Sequence, residues 1–175
     1  GTQTFDDDIL TFLNRSHSSI QVYDAIDSLQ SQHISALSLD LIFGLPRSSN
    51  TIVKQDLAKL IALQPDHISA YWLTIEEKTV FGKWAKKGVL NQITDESALS
   101  QWDIIRDTLL EHNYSQYEIS NYALPGKEAF HNSNYWKGKP YLGIGPSAHS
   151  FDGKNRYWNV ANNAKYVSSI LTQNT

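Results

Sequence analysis

The most constraining feature of this chain is an alternating stretch that runs from Ala36 to Phe43. Successive side chains of a β-strand point to opposite faces, so the alternation sorts these residues into two sets. One set is apolar and comprises Leu37, Leu39, Leu41 and Phe43, whereas the other comprises Ser38, Asp40, Ile42 and Gly44. The pattern predicts a strand with one apolar face and one face of small and polar groups.

Strand and helix patterns alternate on both sides of this stretch. Strands are predicted at 36–43, 67–75 and 117–122. Four helices are predicted, and they begin at Asp6–Asp8, at Ser18 or Ser19, at Ser49 or Asn50, and at Thr94. The last of these helices is expected to end at about His112. This alternation is typical of parallel βα units. The predicted fold class of residues 1–123 is therefore α/β, built from parallel βα units.

The residue composition of the sequence changes after Ala123. Glycine, proline, asparagine and aromatic residues are frequent from Pro125 to Pro146, which predicts a loop-rich segment that contains a site. Asp152-Gly153 predicts a hairpin with a tight turn, and a last helix is expected over about 161–171. Residues 124–175 are thus predicted to begin a second, mixed α+β region.

Composition narrows the function classes. The 175 residues carry a net charge of −3 and contain no basic run, so nucleic acid is not an expected partner. No apolar run approaches the roughly 20 residues of a membrane span, so we expect a cytoplasmic location and membrane contact only through partners. The absence of cysteine excludes disulfides and thiolate-bound metals within these residues.

The chain also contains no methionine and starts at Gly1. We therefore expect an internal piece of a longer protein, the alternative being a complete chain that has lost its initiator Met. If the piece is cut from a barrel, its first strand lacks a neighbour, and the exposed edge predicts either association between chains or a gap that repacking partly fills.

Asp40 is the first candidate site residue because it lies on the polar face of a strand. In a parallel barrel this face points inward, and ligands bind at the carboxyl ends of the strands. Asp40 is accordingly a candidate acceptor for a ligand's amine or hydroxyls, expected near the C-terminal end of its strand. The sequence alone allows equally an Asp that pairs with a neighbouring cation or caps a turn.

Three segments together resemble a known family. They are Gly1-Thr2-Gln3-Thr4-Phe5, Leu13-Asn14-Arg15-Ser16-His17, and Leu39-Asp40-Leu41-Ile42-Phe43-Gly44-Leu45-Pro46. They are similar to the central stretch of the oxygen-independent coproporphyrinogen oxidase family of radical S-adenosylmethionine proteins. The resemblance implies that residues 1–123 form the C-terminal part of a parallel (βα) partial barrel. It also implies that Gln3, Arg15 and Asp40 line the S-adenosylmethionine site. Taken alone, Gln3 is an end residue and Arg15 a cation at a helix end.

The resemblance continues to the end of the chain. It includes the segments 67–76 and 114–123, and a glycine-rich stretch at 142–150. The last of these resembles a loop near the family's site. Gly143 and Gly145 would allow close approach of backbone to a ligand, but Gly-x-Gly also serves any tight turn. His149 in the same loop is open to three interpretations: a ligand, a hydrogen-bonding group or a core residue.

The segment His131-Asn132-Ser133-Asn134-Tyr135-Trp136 resembles the HNxxYW motif of the haem-chaperone, HemW-like branch of that family. The motif is associated there with haem binding. The resemblance implies His131 as an axial ligand of haem iron, Tyr135 and Trp136 as flat surface for the porphyrin, and Asn132 as a group that orients the imidazole. Alternatively, Asn132 caps a turn and the two aromatic residues are core anchors.

The family implies three cofactors: S-adenosylmethionine, haem, and a 4Fe-4S cluster on a CxxxCxxC motif outside this chain. Without those cysteines the chain itself is expected to be inactive. For the intact protein we expect haem binding and delivery to acceptor haemoproteins. The alternatives are oxidative decarboxylation of coproporphyrinogen and a cofactor-free interaction domain.

Overall fold

The computed structural model describes residues 1–34 and 36–172 and has a mixed α/β architecture. Two compact units, Gly1–Glu128 and Ala129–Thr175, divide the chain. The first contains α1 (Asp7–Phe12), α2 (Ser19–Ser31), β1 (Ser38–Phe43), α3 (Asn50–Ala62), β2 (His67–Trp72), α4 (Val80–Lys86), α5 (Asp95–Glu111), β3 (Ser115–Gln116) and β4 (Asn121–Ala123). The second contains α6 (Phe130–Trp136), β5 (His149–Phe151), β6 (Arg156–Trp158) and α7 (Asn163–Leu171). No helix of the described residues is long and apolar enough to cross a membrane.

The predicted helix starts are confirmed by side-chain caps. The Asp6 carboxylate accepts from Ile9 N at 2.9 Å, and Thr94 Oγ1 accepts from Ser97 N at 3.2 Å. These caps satisfy amide groups that a helix start otherwise leaves unpaired. The four predicted helices thus begin where short polar side chains precede apolar periodicity.

The main sheet has the strand order β1-β2-β4-β3. β1 and β2 are parallel, with Ser38 opposite His67 and Phe43 opposite Trp72. On the other side of β1, Gln3 forms a parallel bridge with Leu41. Three neighbouring stretches therefore run in the same direction, in agreement with the α/β prediction for this part of the chain.

The predicted alternation in β1 is confirmed and separates two faces of the sheet. Leu39, Leu41 and Phe43 are buried, as are Ile68 and Tyr122 on the neighbouring strands. Helices α2, α3 and α5 cover this apolar face through Val22, Ile26, Val53, Leu57, Leu60, Ile105 and Leu109. The opposite face carries the polar set that contains Asp40.

The predicted strand at 117–122 is wrong. β3 and β4 instead form a short hairpin, and β4 runs antiparallel to β2. Glu118 and Ser120 lie in the turn, where Ser120 N donates to the Glu118 carboxylate at 3.0 Å. Such local side-chain bonds compete with strand pairing, so the parallel alternation ends at β2.

Two helices, α4 and α6, were not predicted. α6 lies inside the segment 125–146 that the sequence assigns to loops, and none of its residues is buried. Its asparagines and aromatic residues are weak helix formers, and no apolar stripe marks it. The hairpin of β5 and β6 and the last helix are confirmed, the helix as Asn163–Leu171.

A buried carboxylate fixes the first five residues to α3. Asp56 is 4% exposed, and it accepts hydrogen bonds from Thr4 Oγ1 at 2.6 Å and from Phe5 N at 2.8 Å. Burial raises the pKa of Asp56, and these two bonds and the nearby Lys59 oppose that shift. The network holds the backbone directly after Gln3.

The substitution Asp56→Ala should therefore destabilise the protein. It leaves two buried donors without an acceptor, and each costs about 1–3 kcal/mol, so we expect the free energy of unfolding to fall by about 2–4 kcal/mol. Urea denaturation measures the change. Gln55→Ala, at an exposed position of the same helix, is the control and should change stability by less than about 0.5 kcal/mol. Equal effects of the two substitutions would show that Asp56 does not hold the N-terminal segment.

Candidate functional site

A row of polar side chains crosses the face of the main sheet opposite the helices α2, α3 and α5. The register places Asp40 opposite Ser69, and Ser69 opposite Asn121. Paired residues of adjacent strands project from the same face. Asp40 is half-buried, whereas Ser69 and Asn121 are buried. The row joins the predicted residue Asp40 to two residues that the sequence did not indicate.

Gln3 extends this row on the far side of β1. Its backbone N–H donates to Asp40 O at 2.8 Å, and its carbonyl accepts from Ile42 N at 2.8 Å. Gln3 has φ of +60°, and Thr4 N donates to Thr2 O across it at 2.8 Å. This three-residue turn is rare for a non-glycine residue and costs on the order of 1–3 kcal/mol. Strain of this kind is concentrated at functional sites, which supports Gln3 as a site residue.

The side chains of Gln3 and Asp40 converge beside Gly1. A Cβ atom built on Gly1 would collide with Gln3 Nε2 and would lie 2.7 Å from Asp40 Oδ2. An amide that can donate and a carboxylate that accepts therefore flank one point at the edge of the sheet. The structure thus brings together two of the three residues predicted to bind S-adenosylmethionine.

Arg15 is not joined to this pair. It follows α1, its side chain is exposed, and its backbone N–H donates to Leu10 O at 3.0 Å. Within the described residues, no hydrogen bond or ion pair connects its guanidinium to another side chain. The position of Asp40 also differs from expectation, because it lies in the first half of β1 and not at the C-terminal end.

His67 anchors the neighbouring row of the same face. Its Nδ1 lies 2.9 Å from Ser38 Oγ, and its Nε2 lies 2.8 Å from Tyr117 Oη. Burial lowers the pKa of His67, while the charges of Asp40 and Glu118 act in the opposite direction. A neutral imidazole that links two hydroxyl groups holds β1, β2 and the hairpin turn in place beneath the Asp40 row.

Asn121 carries an acceptor without a partner. Its Oδ1 is buried and makes no hydrogen bond among the described residues. Buried acceptors are usually satisfied, so this atom calls for a donor from outside the described structure. One sequence feature pointed to Asn121, namely an asparagine next to the apolar residues Tyr122 and Ala123. Because the strand was wrongly predicted at 117–122, the pairing of Asn121 with Ser69 was not recognised.

In the second unit, the predicted haem-binding residues lie on α6. His131 is exposed, and its ring meets the edge of Tyr135 at 4.8 Å with an interplanar angle of 85°. Trp136 is 67% exposed and Tyr135 47%, so the alternative that they are core anchors is wrong. No described hydrogen bond joins Asn132 to His131, and the Tyr135 ring contacts the imidazole instead.

The glycine-rich loop is held by Asn159. Its Nδ2 donates to Gly143 O at 3.2 Å and to Gly145 O at 2.9 Å. A Cβ on Gly143 would collide with the His149 carbonyl, so only glycine permits this close packing against β5. His149 is exposed and lies 6.3 Å from the ring of Trp158, which excludes the core interpretation.

The chain is similar in sequence to curated proteins of known function. No protein-family model matches the chain. The chain is 33% identical to the heme chaperone HemW of Lactococcus lactis over 173 residues, which cover 99% of the chain and 46% of the relative. It is 39% identical to the heme chaperone HemW of Escherichia coli over 152 residues, or 85% of the chain and 38% of the relative.

The fold has a close counterpart among solved structures. Coproporphyrinogen III oxidase (HemN) from Escherichia coli, described as a radical SAM enzyme, aligns with a TM-score of 0.78 and 19% identity. The alignment covers 98% of this chain and 42% of that protein. At this identity the likeness establishes the fold alone. The chain spans about half the length of the curated relatives that it matches.

His67 predicts a specific pH dependence of stability. Burial lowers the pKa of His67 in the folded state below its unfolded value of about 6.5. As the pH decreases from 7, the unfolded chain therefore binds more protons at this residue than the folded chain does. The free energy of unfolding falls as a consequence. His67→Gln should flatten this part of the profile. Ser38→Ala should lower stability yet keep the slope, because the imidazole remains. Urea denaturation between pH 5 and 7.5 measures both, and an unchanged slope in His67→Gln would contradict the assignment.

Proposed function

We propose that this chain, which belongs to the HemW-like branch of the radical S-adenosylmethionine proteins, is part of a cytoplasmic protein that binds haem and delivers it to acceptor haemoproteins. The main observation behind the proposal is the exposed imidazole of His131, which contacts the ring of Tyr135 and has no hydrogen-bond partner among the described residues. The relatives named as heme chaperones support the same function.

The first unit would supply part of the S-adenosylmethionine site. The stretch at Gln3, β1 and β2 would be the last parallel strands of a partial (βα) barrel whose other strands lie outside this chain. Gln3 and Asp40, which converge beside Gly1, have the chemistry to bind the ligand's hydroxyls and ammonium group. Arg15 is exposed and has the chemistry to clamp the ligand's carboxylate. Asn121 Oδ1, which has no partner among the described residues, offers one more acceptor.

The 4Fe-4S cluster would be held outside this chain, which contains no cysteine. When bound, the cluster supplies the electron that cleaves S-adenosylmethionine. The residues described here contribute binding and orientation, because the strained turn at Gln3 and the buried His67 network fix the polar face before the ligand arrives.

The second unit would carry the haem. His131 presents a ring nitrogen for axial ligation, and Tyr135 and Trp136 provide flat apolar surface for the porphyrin. We retain Asn132 as a candidate for orienting the imidazole in the bound state. These side chains lie on a helix of seven residues, which sets the spacing of His131 and Tyr135 at one turn.

The fold shared with coproporphyrinogen III oxidase makes decarboxylation of coproporphyrinogen the second candidate. The two functions place the tetrapyrrole differently. An oxidase must bring its substrate to the S-adenosylmethionine site on the polar face of the sheet, whereas a chaperone can carry haem on the second unit. Incubation of the full-length protein with haemin and with coproporphyrinogen separates them.

Asp40→Ala in the full-length protein should weaken S-adenosylmethionine binding by at least about 1.5 kcal/mol, the contribution of one charged hydrogen bond. Isothermal titration calorimetry measures the change. Asp24→Ala removes an exposed carboxylate from α2 and should leave the affinity unchanged. If Asp40→Ala binds like the wild type, the carboxylate has only a structural role.

His131→Ala should abolish or markedly weaken the Soret shift that haemin produces in the full-length protein, because the axial ligand is lost. Binding of S-adenosylmethionine should persist in this variant. His112→Ala, which removes an exposed histidine at the end of α5, is the control and should leave the spectrum unchanged. A haem spectrum that is indifferent to His131 would move the ligand to His149 or to a residue outside this chain.

A further inference from the structure

One face of the hairpin of β5 and β6 carries Arg156 together with aromatic side chains. The strands are antiparallel, with His149 opposite Trp158 and Phe151 opposite Arg156. Directly opposed residues share a face, and so do residues two apart on one strand. His149, Phe151, Arg156 and Trp158 therefore project from the same side of the hairpin.

This face continues without interruption to α6. Tyr141 exchanges two backbone hydrogen bonds of 2.9 Å with Phe151, and their ring centroids are 6.2 Å apart. Tyr141 meets Tyr135 edge-on at 4.6 Å, and Tyr135 in turn meets His131 at 4.8 Å. The rings of Tyr135, Tyr141 and Phe151 thus form a continuous row, here called the aromatic row, that begins beside His131 and ends at Arg156.

Arg156 has no carboxylate partner among the described residues. The acid of the same hairpin, Asp152, is already engaged, since it accepts from Lys154 N at 2.8 Å, from Asn155 N at 2.7 Å and from Tyr157 Oη at 2.7 Å. These bonds lower the pKa of Asp152 to about 2. Tyr157 alternates with Arg156 along β6, so its ring projects from the opposite face of the hairpin. The Arg156 guanidinium therefore remains available to an anion from outside the chain.

We propose that Arg156 binds a propionate carboxylate of the haem, while the aromatic row supports the porphyrin between this carboxylate and the iron ligand His131. The inference rests on the proposed haem-binding function and adds a charged subsite to it. Two features select this occupant. The planar guanidinium fork matches a carboxylate in a bidentate arrangement, and the adjacent rings offer the apolar contact that a porphyrin macrocycle requires. Haem combines a flat apolar body with two carboxylates at one edge.

The test compares haemin with iron protoporphyrin IX dimethyl ester, whose propionates carry no charge. Full-length wild-type protein should bind haemin at least tenfold more tightly than the ester, as followed by the Soret band. Arg156→Gln should bind haemin at least tenfold more weakly than the wild type does, with unchanged affinity for the ester. The affinities of this variant for the two ligands should therefore be equal. Unchanged ester binding also shows that the variant is folded and that the remaining site is intact.

Two further variants sharpen the result. Lys154→Gln removes a neighbouring cation from the turn of the same hairpin and should bind both ligands like the wild type. Arg156→Lys keeps the charge without the fork and should recover only part of the lost haemin affinity. Haemin affinity of Arg156→Gln equal to that of the wild type, or an equal loss for haemin and ester, would overturn the subsite and leave haem binding standing. Failure of the wild type to bind haemin would overturn both proposals.

Discussion

The site in the first unit depends on one buried carboxylate. Asp56 accepts from Thr4 Oγ1 and Phe5 N, and so fixes the backbone directly after the strained residue Gln3. Burial of this carboxylate is unfavourable by itself, as the raised pKa indicates, and the two hydrogen bonds offset it. Without that attachment the first residues would be held by the short bridge between Gln3 and β1 and by the buried ring of Phe5. The convergence of Gln3 and Asp40 beside Gly1 is therefore a consequence of packing on the opposite, helix-covered side of the sheet.

The two faces of the sheet differ because apolar and polar residues alternate along β1. Leu39 and Leu41 bind β1 to the helices, which leaves Asp40 with Ser69 and Asn121 on the other face. Polar groups that are fixed in this way are suited to recognise a ligand with amine, carboxylate and hydroxyl groups. The second unit has the opposite character. Its exposed and half-buried rings, with one histidine and one arginine at the two ends, are suited to a flat apolar ligand that carries charge at its edge.

The sequence predicted the features that local chemistry determines. Asp6 and Thr94 mark helix starts because their side chains satisfy backbone amides, and the alternation around Asp40 marks a strand because one face must be buried. Features that the pattern of apolar residues does not mark were missed. The turn at Glu118–Ser120 is fixed by a local hydrogen bond that alternation cannot reveal, and α6 has no buried stripe that would mark it as a helix. Asp40 was a candidate from the alternation of its strand, and Gln3 was identified through family resemblance, whereas Asn121 and Arg156 required the register of the strands.

We propose that the tetrapyrrole and S-adenosylmethionine occupy different parts of the molecule. A crystal structure of the full-length protein with both haemin and S-adenosylmethionine bound tests this separation most directly. We expect S-adenosylmethionine on the polar face of the sheet against Gln3 and Asp40, and haem on the second unit with its iron coordinated by His131. A tetrapyrrole on the polar face of the sheet, next to S-adenosylmethionine and away from α6, would contradict this separation and would favour the oxidase.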